Sequence, residues 1–180
     1  MSNLKNKTAF ITGGSKGIGY GIAEALIKEG VNVAITSRSL QSAEDAANEL
    51  TTDSAKALGL KADVRNLIDQ EEAIRRTVEE FGQVDFVIAN AGLGHFGSIG
   101  ELTDREWRET IDTNLTGVFY TIKSSLEELK KSKGYFITIS SLAGTNFFAG
   151  GAAYNASKFG LTGFTQSVML DLRQDGVNVS

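Results

Sequence analysis

The chain has 180 residues, 41% apolar and 22% charged, which suits one ordinary globular domain and argues against disorder. A net charge of −4, with Lys and Arg scattered among Asp and Glu, offers no basic stripe to a phosphate backbone, so nucleic acid is not an expected partner. Zero cysteines and one histidine exclude a disulfide framework and the usual zinc shell, and Met1 to Lys7 is polar with no apolar leader core. No run approaches the ~20 apolar residues of a membrane span, so the expected setting is the cytoplasm, with no membrane and no metal.

In chain order, Thr8 to Thr12 reads as a buried strand, and a glycine-rich turn leads from it into a helix near Ile18 to Glu29. Val31 to Ser37 is the second strand, Leu40 to Leu50 the second helix, Ala57 to Ala62 the third strand and Leu67 to Phe81 the third helix. Val84 to Ala89 is nearly all apolar, as a strand covered on both faces requires. Thr103 and Glu106 have capping-box spacing before a long helix over Asp104 to Lys131. Tyr135 to Ser140 is the next strand, Ala152 to Gln174 the last helix, and Val177 to Ser180 begins a further strand. Gly30, Gly82 and Gly134 sit where left-handed glycines end helices. Strict alternation of strand and helix implies an α/β fold, a doubly wound parallel sheet with helices on both faces.

The turn after the first strand, Thr12-Gly13-Gly14-Ser15-Lys16-Gly17-Ile18-Gly19, is the place for a pyrophosphate. Glycines let backbone N–H groups approach the anion, and the helix amino terminus adds partial positive charge. Ile22 breaks G-x-G-x-x-G, and Tyr20 replaces the lysine of a P-loop, so ATP hydrolysis is disfavoured. At the end of the second strand an NAD site usually places an acid for the ribose 2′-hydroxyl. Here that end is Ile35-Thr36-Ser37-Arg38-Ser39, without one. Arg38, with Lys16 from the glycine turn, can instead pair with a 2′-phosphate, so NADP(H) is expected over NAD(H).

Tyr154 and Lys158 are four apart on a predicted helix and so share a face, an arrangement that no other tyrosine of the chain has. A phenol of pKa ~10 is a sluggish acid or base at neutral pH, and a nearby ammonium favours its phenolate. The pair therefore points to proton transfer.

Thr12-Gly13-x-x-x-Gly17-x-Gly19, Asn90-Ala91-Gly92, Asn114, Ser141 and Tyr154-x-x-x-Lys158 together resemble, in order, the motifs of the short-chain dehydrogenase/reductase family, and of its ketoacyl-carrier-protein-reductase-like branch. The resemblance implies a Rossmann-type fold and hydride transfer between NADP(H) and a carbonyl or secondary alcohol. It makes Tyr154 the general acid in reduction and the base in oxidation, and Ser141 the partner that orients the carbonyl. Lys158 would also hold the nicotinamide ribose, and Asn114 would support a water relaying protons to it. Gly13, Ser15, Lys16, Gly17, Ile18, Gly19 and Arg38 would bind the dinucleotide phosphates. Asp63 would meet the adenine amino group, while Asn90 and Gly92 would let the backbone pass close to the cofactor. Ala89 departs from the family, where asparagine is common. His95 and Trp107 are left outside the catalytic set.

Family members continue beyond this length with two more strands, a Pro-Gly turn and a substrate loop. The resemblance therefore implies a chain that lacks its C-terminal part, with substrate choice residing there, and a homo-oligomer, dimer or tetramer, built on the long helix and the Tyr154 helix. Competing readings are a non-catalytic dinucleotide-binding or regulatory protein, an NAD-dependent alcohol or sugar dehydrogenase, and, more distantly, a nucleotide-sugar epimerase or dehydratase.

Overall fold

The computed structural model describes residues 4–180; Met1 to Asn3 of the polar amino-terminal run lie outside the described residues. Six parallel strands are β1 (Thr8–Ile11), β2 (Asn32–Ser37), β3 (Ala57–Lys61), β4 (Phe86–Ala89), β5 (Tyr135–Thr138) and β6 (Asn178–Val179), in the order β3-β2-β1-β4-β5-β6. The helices are α1 (Gly17–Lys28), α2 (Leu40–Leu50), α3 (Leu67–Phe81), α4 (Asp104–Ile111), α5 (Gly117–Ser132) and α6 (Ala152–Asp171). This is the expected doubly wound Rossmann-type sheet. Its order reverses between β1 and β4, and that switch point is where a crevice opens beyond the carboxyl ends of the strands.

Side-chain alternation along β1 divides the core. Phe10 faces a cluster with Ile74 of α3, Val118 and Leu129 of α5 and Leu161 of α6. Ala9 and Ile11 face Ala23 and Ile27 of α1 and Ala46 of α2. Phe10 and Phe136 are fully buried, each worth about 2 kcal/mol in removed apolar surface.

The local signals act as their chemistry dictates. Thr103 and Glu106 form a reciprocal capping box at the start of α4. Ser39 caps α2 and Asn66 caps α3 through their side-chain oxygens. Gly30 and Gly82 adopt φ of 79° and 82° after α1 and α3. After α5 the left-handed residue is Lys133, with φ 49°, not the expected Gly134. Gly134 is required for another reason, since a Cβ there would collide with the carbonyl oxygen of Asp85.

The long helix expected over 104–131 is not continuous. A single π turn, Asp112–Thr116, joins α4 to α5 and carries Asn114. Such turns insert an extra residue and swing its side chain to a new bearing, and they recur at functional sites. The last helix also stops early, with a 3₁₀ turn, Arg173–Asp175, replacing its expected final residues. Among the described residues no helix is long and apolar enough to cross a membrane.

Candidate active site

The site is assembled at the carboxyl edge of the sheet, around the switch point. Thr12, at the end of β1, accepts from the N–H groups of Asn90 (3.0 Å) and Ala91 (3.1 Å), which follow β4. Asn90 Nδ2 returns two bonds, to the carbonyls of Thr12 (2.9 Å) and Gly13 (3.0 Å). One threonine and one asparagine thus staple the glycine turn to the neighbouring strand. Gly13 and Gly17 adopt φ of 64° and 60°, a conformation that side chains disfavour. At Gly19 a Cβ would lie 2.5 Å from Asn90 Nδ2, so this glycine serves close packing of α1 against the turn.

A cleft of about 840 Å³ opens here. One end is lined by Gly13, Ser15, Lys16, Gly17 and Ile18, and its middle by Thr36, Ser37 and Arg38. Asp63, Val64 and Arg65 follow β3 on the same wall, and Asn90 to Leu93 with Thr113 close the far end. Gly19 is not on the wall. The cleft fits a dinucleotide on its own evidence. Gly13 and Gly17, at positive φ, line the turn, the amino end of α1 faces it, and the buried Thr36 Oγ1 on its wall has no hydrogen-bond partner among the described residues.

Asp63 stands on the wall of the cleft with an internal partner. Its carboxylate is gripped by Arg65, with Nη2 at 2.6 Å and Nε at 3.0 and 3.1 Å. The Arg65 guanidinium holds the Asp63 carboxyl below the usual carboxylate range, and Asp63 in turn raises Arg65. Arg38 Nη1 and Arg65 Nη1 each stand 3.9 Å from Glu109 Oε1 of α4. Arg65 and Glu109 escaped the sequence reading; the run Asp63-Val64-Arg65 directly after a strand was the one signal for the arginine.

Beyond the far end of the cleft lie the proton-transfer candidates. Asn114 Nδ2 donates to the Leu93 carbonyl (2.7 Å) and to Ser157 Oγ (3.0 Å), while its Oδ1 accepts from Leu93 N–H (2.9 Å). Ser157 Oγ donates to the Tyr154 carbonyl at 2.8 Å. A hydrogen-bonded chain therefore runs from the cleft wall to the turn of α6 that carries Tyr154. The Asn114 amide is taken up by protein partners rather than turned toward solvent.

Tyr154 and Lys158 share one face of α6, as their spacing requires, with Lys158 Nζ 5.8 Å from the Tyr154 ring centroid. Lys158 is buried and donates to the Ile139 carbonyl at the end of β5 (2.8 Å). Desolvation pushes its ammonium below the ordinary lysine pKa. The Tyr154 hydroxyl has no hydrogen-bond partner among the described residues, and its ring meets Phe96 edge-on at 5.6 Å. Ser141 caps the 3₁₀ turn Leu142–Gly144 by accepting from Ala143 N–H at 3.1 Å, which leaves its own O–H free to donate. Tyr154, Lys158 and Ser141 are not on the wall of the cleft, although Tyr154 and Lys158 were expected to touch the dinucleotide as well. His95 hydrogen-bonds Glu109 at 3.1 Å, and Trp107 is partly exposed on α4.

Residues 7–180 match the family model described as short chain dehydrogenase. The chain is 35% identical over 179 residues to 3-oxoacyl-acyl-carrier-protein reductase of Escherichia coli, spanning 99% of this chain and 72% of that protein. It is 34% identical over 178 residues to glycine betaine reductase of Emericella nidulans, of which it spans 14%. Among solved structures it is similar to an alcohol dehydrogenase from the archaeon Thermococcus sibiricus complexed with 5-hydroxy-NADP. The TM-score is 0.88 and the identity 34%, over 92% of this chain and 71% of that one.

Proposed function

This chain belongs to the short-chain dehydrogenase family, and from that premise we propose that it is an NADP(H)-dependent oxidoreductase acting on a carbonyl or secondary alcohol. The observation that carries the reading is the buried Lys158 ammonium, held by Ile139 and set 5.8 Å from the Tyr154 ring. NADP(H), whose 5-hydroxy derivative is bound in the archaeal relative's complex, would supply or accept the hydride when bound. The glycine turn with Ser15 and Lys16 would hold its pyrophosphate, and Arg38 would take the 2′-phosphate.

The chain's own residues handle the proton. Lys158 is buried with its ammonium beside the Tyr154 ring, where it would hold the nicotinamide ribose. Tyr154 gives a proton to the carbonyl oxygen in reduction and takes one from the alcohol in oxidation. Among the described residues its hydroxyl has no partner, which leaves it available to a substrate. Ser141 directs its O–H to the same oxygen and stabilises the negative charge that develops there. Asn114 is a positioning residue in this scheme, since it fixes Leu93 and Ser157. The family premise also makes a homodimer or homotetramer the expected assembly, through α5 and α6, where Phe119 and Phe159 are exposed.

Replacing Tyr154 with Phe tests the proposal. NADPH oxidation with a panel of ketones should fall at least about 100-fold, while NADPH binding, followed by fluorescence, stays within twofold. Wild-type turnover in the Phe variant would overturn it.

A further inference from the structure

We infer that Arg65 is a second guanidinium of the 2′-phosphate site, and that Glu109 is an internal carboxylate which occupies the Arg38–Arg65 pair until a phosphate displaces it. The inference rests on the NADP(H) reading above and adds two residues to it.

Arg38 follows β2 and Arg65 follows β3, yet both turn Nη1 to one oxygen, Glu109 Oε1, at 3.9 Å each. Two guanidiniums that share a cleft repel one another, and convergence on a single anionic atom marks the point between them as an anion position. Glu109 reaches it from α4, and its other oxygen, Oε2, is held by His95 Nε2 at 3.1 Å. The carboxylate therefore has a second anchor to fall back on.

The magnitudes favour displacement. At 3.9 Å the contacts lie beyond hydrogen-bond range, and the Arg38 and Arg65 side chains are 66% and 36% exposed, so solvent screens the attraction. A phosphate monoester carries about −1.5 to −2 charges at neutral pH and three acceptor oxygens, enough to form direct charge-assisted bonds to both arginines. The two arginines differ in kind. Arg65 is already fixed, because Nε and one N–H of Nη2 are committed to Asp63, and Nη1 is left free to aim. A fixed donor loses little freedom on binding. Arg38 has no such clamp and supplies the adaptable half of the grip.

The experiment is a calorimetric titration with adenosine 2′,5′-bisphosphate and adenosine 5′-monophosphate on the wild-type chain, Arg65→Leu and Glu109→Gln. The readout is the ratio of the two affinities, since loss of Arg65 also frees Asp63 and can alter adenine binding for both probes alike. Arg65→Leu should lower the ratio about tenfold, and Glu109→Gln should raise it several-fold by removing the competing charge. A ratio unchanged in Arg65→Leu, or unchanged or lowered in Glu109→Gln, overturns the inference while the NADP(H) reading stands. A wild-type ratio near one overturns both.

Discussion

Asn114 grips Leu93 by both ends of its amide, donating to the Leu93 carbonyl at 2.7 Å and accepting from its N–H at 2.9 Å. The π turn makes this possible, for it interrupts the α4–α5 helix where Asn114 must reach the loop after β4. That loop goes on to His95 and Phe96, and Phe96 packs on Tyr154.

Removing the grip should harm both stability and rate. Asn114→Ala leaves two main-chain groups of Leu93 without their partner and takes one donor from the buried Ser157 hydroxyl, at a cost of about 2 kcal/mol in urea unfolding. Its kcat should fall roughly 10- to 100-fold through misplacement of the loop. An alanine variant with unaltered kcat would show that the grip plays no part in turnover.

Lys158 should trade stability for activity. Burial lowers its folded-state pKa below the unfolded value, so folding is penalised while the group is charged. The sign follows from that: the penalty is fully present below the lowered folded pKa and fades as pH rises from there toward about 10.4. Lys158→Met should therefore lose turnover yet unfold about 1 kcal/mol later at pH 7, with the gap to wild type narrowing at pH 9.5. A variant less stable at both pH values would contradict the sign.

Arg38 should set cofactor preference. Arg38→Asp replaces a cation on the cleft wall with an acid suited to a ribose 2′-hydroxyl, so kcat/KM should drop at least about tenfold with NADPH and rise with NADH. Identical kinetics with both cofactors before and after the change would refute the assignment.

Asp85 should matter for folding and not for chemistry. It is 3% exposed at the amino end of the sheet, away from the cleft. It accepts from Thr8 N–H (2.8 Å), Lys7 Nζ (2.7 Å) and Gln83 Nε2 (2.8 Å). Asp85→Ala should cost about 2–3 kcal/mol and leave KM for NADPH unchanged. A shifted KM with unaltered urea midpoint would reverse that division.

Much of this was legible in one dimension. The capping box at Thr103, the strand over Thr8 to Thr12 and the four-residue spacing of Tyr154 and Lys158 are local, and local hydrogen bonding and steric preference decide them. What was misread depended on remote neighbours. Gly134 looked like a helix terminator, but its lack of a side chain answers to the Asp85 carbonyl, just before β4.

Strand and helix order, the glycine turn and the Tyr154–Lys158 pair were thus set by the sequence by itself, because each arises from residues within a turn or two of one another. Only the tertiary structure decided that Asn114 would reach Leu93 and Ser157, 21 and 43 positions away, and that Arg38, Arg65 and Glu109 would meet. Such meetings exist only once the parallel sheet has brought the carboxyl ends of its strands to one edge, and no spacing along the chain encodes that distance.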